Sequence, residues 1–113
     1  MPDDAMLIDV ASQFSPYPAG RSDADGPNNG ARLRTQYLEP ALHDAIAKGK
    51  QVRVSLDGVR SFGSSFLEEA FGGLVRNGIP KSEIAAHLVL ELNAPGRDRY
   101  LSAIKRYIND AKP

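Results

Sequence analysis

Two short stretches constrain this chain most. Gln51 to Asp57 sets Val52, Val54 and Leu56 against Arg53, Ser55 and Asp57; His87 to Leu92 sets Leu88, Leu90 and Leu92 against His87 and Glu91. A period of two marks a strand with one buried and one wet face, whereas a strand buried on both faces reads as a continuous apolar run. Between them, Ser64 to Asn77 carries Leu67, Ala70, Phe71, Leu74 and Val75 at helical spacing and stops at Gly78. Strand, helix and strand in that order form a right-handed crossover and place the chain in the α/β class. The expected architecture is a mixed sheet of three to five strands with helices mainly on one face. Val54 and Leu90 belong to its expected core.

The flanking segments extend this pattern. Met6 to Ala11 alternates loosely and suits a further strand. Leu33, Tyr37, Leu38, Leu42, Ala45 and Ile46 fall at helical spacing and end at Gly49. Pro40 lies within that run, where it removes an amide donor and crowds the preceding turn, which predicts two helical pieces with a break or kink near Glu39. Pro80 to Ala86 can add a turn. Tyr100, Leu101, Ile104, Tyr107, Ile108 and Ala111 mark a last helix. Ser15 to Gly30 holds three prolines and three glycines without apolar period, so it is a loop. A loop of this length is functional or disordered, and its composition leaves both open. Arg21 and its neighbouring glycines are expected to be ordered against the domain.

At 113 residues the chain fits one domain, 1–113. Its 14 basic and 14 acidic residues cancel, which counts against a protein that grips a phosphate backbone. With no cysteine there is no disulfide, thiol nucleophile or thiolate metal site. No apolar run approaches the roughly 18 residues of a membrane span, and Met-Pro-Asp-Asp does not begin like a signal peptide. The expectation is a cytoplasmic, non-catalytic protein with no cofactor, no nucleic acid and no membrane partner.

Chemistry concentrates between Ser55 and Glu69, where a strand ends, a loop follows and a helix opens on two hydroxyls. Free amides and a partial positive charge at a helix start favour an anion, so Ser64 and Ser65 are candidates for phosphorylation or for holding a phosphate. Ser65 followed by Glu68 also reads as a capping box, which leaves Ser64 the better candidate. Gly72 and Gly73 lie off the centre of the apolar stripe; they serve either a close contact within the chain or a flat patch for a partner, flanked by Phe66. Arg21 and Arg34 are the cations best placed to meet an anion. His43 and His87 show no ligand-like spacing. The cations of the last helix, Arg97 among them, read as a solvated face.

The run Asp57-Gly-Val-Arg-Ser-Phe-Gly-Ser-Ser-Phe-Leu-Glu-Glu-Ala-Phe-Gly-Gly-Leu-Val-Arg76 resembles the signature of the STAS-like domain family of unknown function. Phe14-Ser-Pro-Tyr-Pro-Ala-Gly-Arg21, Gly26-Pro27 and Gly30 with Leu33-Arg34 match the same pattern, with Ala19 in place of a usual glycine. That family is similar to the STAS domains of bacterial anti-sigma factor antagonists. In those, a kinase of the histidine-kinase-like ATPase fold phosphorylates a serine or threonine at the start of the helix after a central strand. The resemblance places that residue on Ser64, with Gly63 where antagonists carry aspartate and Phe66 where they carry glycine. It implies a regulatory interaction module, contacting a kinase-like ATPase or another regulator through Arg60, Phe62, Gly63, Phe66, Glu69, Gly72 and Gly73. The alternative is a small-molecule, nucleotide or phosphate-binding domain that uses the helix start with Arg21 and Arg34.

Overall fold

In the computed structural model, which describes residues 5–113, the strands β1 (Ala5–Asp9), β2 (Gln51–Ser55) and β3 (Leu88–Glu91) lie side by side in chain order. Both pairings are parallel, which corrects the expected mixed sheet. The reason is connectivity: each link between described strands contains a helix that carries the chain back to the same end of the sheet, and no hairpin reverses it. Three strands form the sheet among the described residues.

Register explains the alternation. Met6, Val52 and Leu88 form one row and Ile8, Val54 and Leu90 the next. Val52 and Val54 are fully buried, Ile8 nearly so, and Leu90 packs against the core from a half-buried position. The intervening row, Leu7, Arg53 and Val89, contains the exposed Leu7 and Arg53.

The first long helix, α1, spans 30–48 without interruption. Two regular pieces, Gly30–Leu33 and Glu39–Lys48, are joined by a wide turn, Arg34–Leu38. The Glu39 amide there reaches back five residues to the Arg34 carbonyl. No break occurs at Glu39. One extra residue in the turn relieves crowding ahead of Pro40, which then sits in the first turn of the second piece. The second long helix, α2, spans 64–76 and carries a like wide turn at Glu68–Gly72. Two further helices follow, α3 (Lys81–His87) and α4 (Asp98–Asp110).

The two wide turns meet, and α4 packs across that of α2. At the crossing of α1 and α2 a side chain on Gly30 would place its Cβ 2.5 Å from the Phe66 carbonyl oxygen and 3.1 Å from the Ala70 nitrogen. The two backbones touch there, which only glycine permits. One core unites the elements, with Leu33, Leu42, Val54, Phe66, Phe71 and Ile104 fully buried within it. No helix among the described residues is long and apolar enough to cross a membrane.

The Pro/Gly-rich loop packs against its own end and the start of α1 through backbone hydrogen bonds. The Ala19 amide bonds the Asn28 carbonyl, and those of Gly30 and Ala31 bond the carbonyls of Gly20 and Arg21. Asn29 is fully buried: its side chain caps α1 by accepting from the Arg32 amide and donates to Asp23 and the Gly26 carbonyl.

Candidate functional site

The site grows out of the carboxyl end of β2. Leu56 and Val59 turn into the core, and the chain then surfaces with Arg60, Ser61, Gly63 and Ser64 exposed. This short bridge is held at several points. The Arg60 amide bonds the Pro16 carbonyl, and the Arg97 guanidinium donates to the carbonyls of Val59 at 2.9 Å and Arg60 at 3.2 Å. Arg97 thus lies at the entrance to α4, clamping the loop, and not on a solvated helix face.

Ser64 opens α2 after an extended Gly63 cap. The Leu67 amide bonds the Gly63 carbonyl, so the amides ahead of it have no acceptor within the helix. The Ser64 side chain is exposed and that of Ser65 half-buried. The capping box expected of Ser65 does not form. Gly63 holds the cap position, Ser65 stands second in the helix, and Glu68 turns to stronger donors. It receives Arg76 at 2.6 and 3.0 Å and Arg21 at 2.6 Å. Charged, forked donors outcompete a backbone amide.

Those contacts belong to a belt of charges across the facing wide turns. Arg34, nearly buried, donates to Glu39 at 3.1 Å, to the Glu69 carboxylate at 2.5 Å and to the Glu69 carbonyl at 2.8 Å. Arg21 also reaches Glu69 at 3.3 Å, and Arg76 does so at 3.4 Å. Asn77 joins through Glu39 at 2.8 Å. Hydrogen bonds from Arg76 and Arg21 hold the Glu68 carboxyl below its ordinary range, although burial opposes this. Burial pushes Glu69 the other way, but bonds and charge from Arg34, with help from Arg21 and Arg76, bring it lower overall.

This belt corrects the sequence-based assignments. Arg21 and Arg34 are not free cations awaiting an anion, because carboxylates of α1 and α2 already occupy them. The loop amides beside Arg21 are taken as well: those of Arg21 and Ser22 point to the Asp25 carboxylate at 3.0 and 3.3 Å. Gly72 and Gly73 are buried, not part of a flat outer patch. A Cβ on Gly73 would fall on the Arg34 guanidinium, and one on Gly72 would meet the Glu68 carboxylate at 2.5 Å. Phe66 is fully buried and stacks on Phe14 with ring centres 6.5 Å apart. Phe62 is buried under Tyr100 at 4.8 Å and Arg97 at 5.6 Å. Of the expected contact surface, Arg60 and Gly63 remain exposed beside Ser64, and half-buried Glu69 sits in the belt.

Sequence reasoning missed Glu39, Glu68, Arg76 and Arg97. For the belt a signal existed: Glu68 and Arg76 stand eight apart, about two turns along one helix. His43 is exposed, and His87 Nδ1 lies 2.5 Å from the Lys50 carbonyl. No group of three His, Cys, Asp or Glu residues is placed to hold a metal ion among the described residues.

Neither the curated proteins nor the solved structures contain a significant match to this chain. The model of the STAS-like domain of unknown function matches residues 29–95, from the cap of α1 through β3 to the loop before α4. The upstream segment from Phe14, which carries part of the resemblance, precedes that span. The matched span contains both wide turns, the charge belt apart from Arg21, and the start of α2, and the chain belongs to the family of STAS-like domains of unknown function (DUF4325).

Proposed function

We propose that this domain is a non-catalytic interaction module of bacterial signalling, acting in the cytoplasm, whose contact surface is the loop from Arg60 and the start of α2. One contrast carries the reading. Ser64 is exposed beside free helix-start amides on a clamped loop, while Arg21 and Arg34, the two cations on which the ligand-binding alternative relies, are paired with carboxylates. A kinase of the histidine-kinase-like ATPase fold, or another regulator, is the proposed partner, with Ser64 as the modified residue. A phosphate there meets the positive end of α2, so the modified domain stays folded and changes only the surface it offers.

Phosphopeptide mapping of the protein from its native cells, over several growth states, is the direct test. The expected result is phosphate on Ser64, absent in Ser64→Ala, with Ser64→Asp shifting partner capture and leaving the melting temperature unchanged. Because Ser65 does not cap, Ser65→Ala should alter stability by no more than about 0.5 kcal/mol. Unmodified Ser64 throughout, with partner capture indifferent to Ser64→Asp, refutes the switch. A rise in melting temperature with phosphate or nucleotide alone would instead favour the ligand-binding alternative.

A further inference from the structure

Away from Ser64, β3 forms an edge of the sheet: it pairs with β2 and no described strand lies beyond it. Its pairing fixes which groups are free. The Glu91 carbonyl accepts from the Leu56 amide, so the backbone groups of Glu91 and Val89 point to β2. By alternation, the amide and carbonyl of Leu90 and the amide of Leu92 point outward. Beneath this edge runs a groove of about 510 Å³ between α3 and α4. Ile84, Leu88, Leu90, Leu101 and Ile108 give it an apolar floor, and Lys81 and Lys105 line it without any acidic residue among its lining. Lys81 is drawn to the Asn109 carbonyl, while Lys105 has no ion pair among the described residues.

We infer that this groove receives an extended apolar segment of a partner protein, flanked by acidic residues, which adds to β3 as a fourth strand. Three features converge on that occupant. The outward backbone groups supply the ladder, the apolar floor accepts alternate side chains, and the lysines select the charge of the flanks. A second copy of this chain fits less well. A two-fold contact through β3 would set one lysine-lined groove against another. The inference does not rest on Ser64, since it concerns the opposite edge of β3 and other helices.

The test uses the full chain and labelled peptides with an alternating core of about six residues, flanked by acidic, neutral or basic residues. Acidic flanks should bind best, by about tenfold over basic ones, and Lys105→Glu should reverse that order. Lys105 is exposed, so the variant should fold and melt as the parent does. Amide shifts on binding should cluster at Leu88–Leu92 and Leu101–Asn109 and leave Ser64 unmoved. Affinity independent of flank charge and unchanged in Lys105→Glu, or no binding by any peptide, overturns the proposal. A concentration-dependent dimer that shifts the same amides overturns it in favour of a second copy.

Discussion

Gly30→Ala isolates the contact on which the packing of α1 against α2 depends. The added Cβ would meet the Phe66 carbonyl oxygen at 2.5 Å, the Glu69 Cβ at 2.9 Å and the Ala70 nitrogen at 3.1 Å. Two of these atoms are backbone within a helix and cannot rotate away, so the helices must part. Forcing extra volume into such a contact costs about 1–3 kcal/mol. Alanine recovers up to about 1 kcal/mol through helix propensity and a less disordered unfolded state. The balance is a loss of about 1–2 kcal/mol, which at this size lowers the melting temperature by about 4–8 °C. Urea denaturation should move the midpoint and leave the slope unchanged. Gly63→Ala is the control, because its Cβ enters open space at an ordinary backbone conformation of φ −79° and ψ 144°. There the weaker cap and the stiffer unfolded chain oppose each other, and the net change should stay within about 0.5 kcal/mol. A Gly30→Ala protein as stable as its parent would refute the claim that α1 and α2 touch through their backbones.

Arg34→Met should cost about 2–4 kcal/mol in urea titration, because it strands the Glu69 carbonyl and weakens the hold on two carboxylates, while Arg21 and Arg76 still partly screen Glu69. A loss below about 1 kcal/mol would reduce the belt to ordinary surface ion pairs. Stability should also fall in acid. Glu68 and Glu69 ionise at lower pH in the folded state than in the unfolded one, so the unfolded chain binds more protons between the two values and stability rises with pH across that window. Their contribution is complete above their ordinary value of 4.5 and is lost as pH drops through the folded values. Melting curves taken from pH 7 downward check this, and Glu68→Gln should flatten the acid limb.

The strands were legible because a one-sided sheet writes its burial into alternate residues, as Val52, Arg53 and Val54 do. Their parallel direction was legible only through the helices that separate them, and a mixed sheet remained compatible with the same pattern. Phe66 was misplaced on the surface for a definable reason. It stands four before Ala70 and so shares the buried side, but the stripe was counted from Leu67. Gly72 and Gly73 signalled close approach correctly; what approaches, the Arg34 guanidinium and the Glu68 carboxylate, comes from elements far off in sequence or across an irregular turn. Arg21 and Arg34 looked available because a linear reading shows a cation but not the carboxylates that folding brings to it. Ser64 was locatable from its place after a strand and before an apolar stripe, and its neighbour's capping role failed because Glu68 had better partners.

The wide turn at Arg34–Leu38 means that α1 keeps its orientation by residue count and not by residue identity. Leu33 and Leu38, five apart, both face inward only because the turn absorbs one residue more than a regular helix would. Substitutions at Thr35 or Gln36, both exposed, leave that arithmetic untouched. Deleting either one would close the wide turn into a regular one, with Leu33 and Leu38 then four apart and Leu42 and Ala45 still facing the core. Inserting one more residue would instead exceed what the turn absorbs and rotate everything downstream by about 100°. The segment tolerates changes of chemistry and the loss of its surplus residue, but not the gain of another.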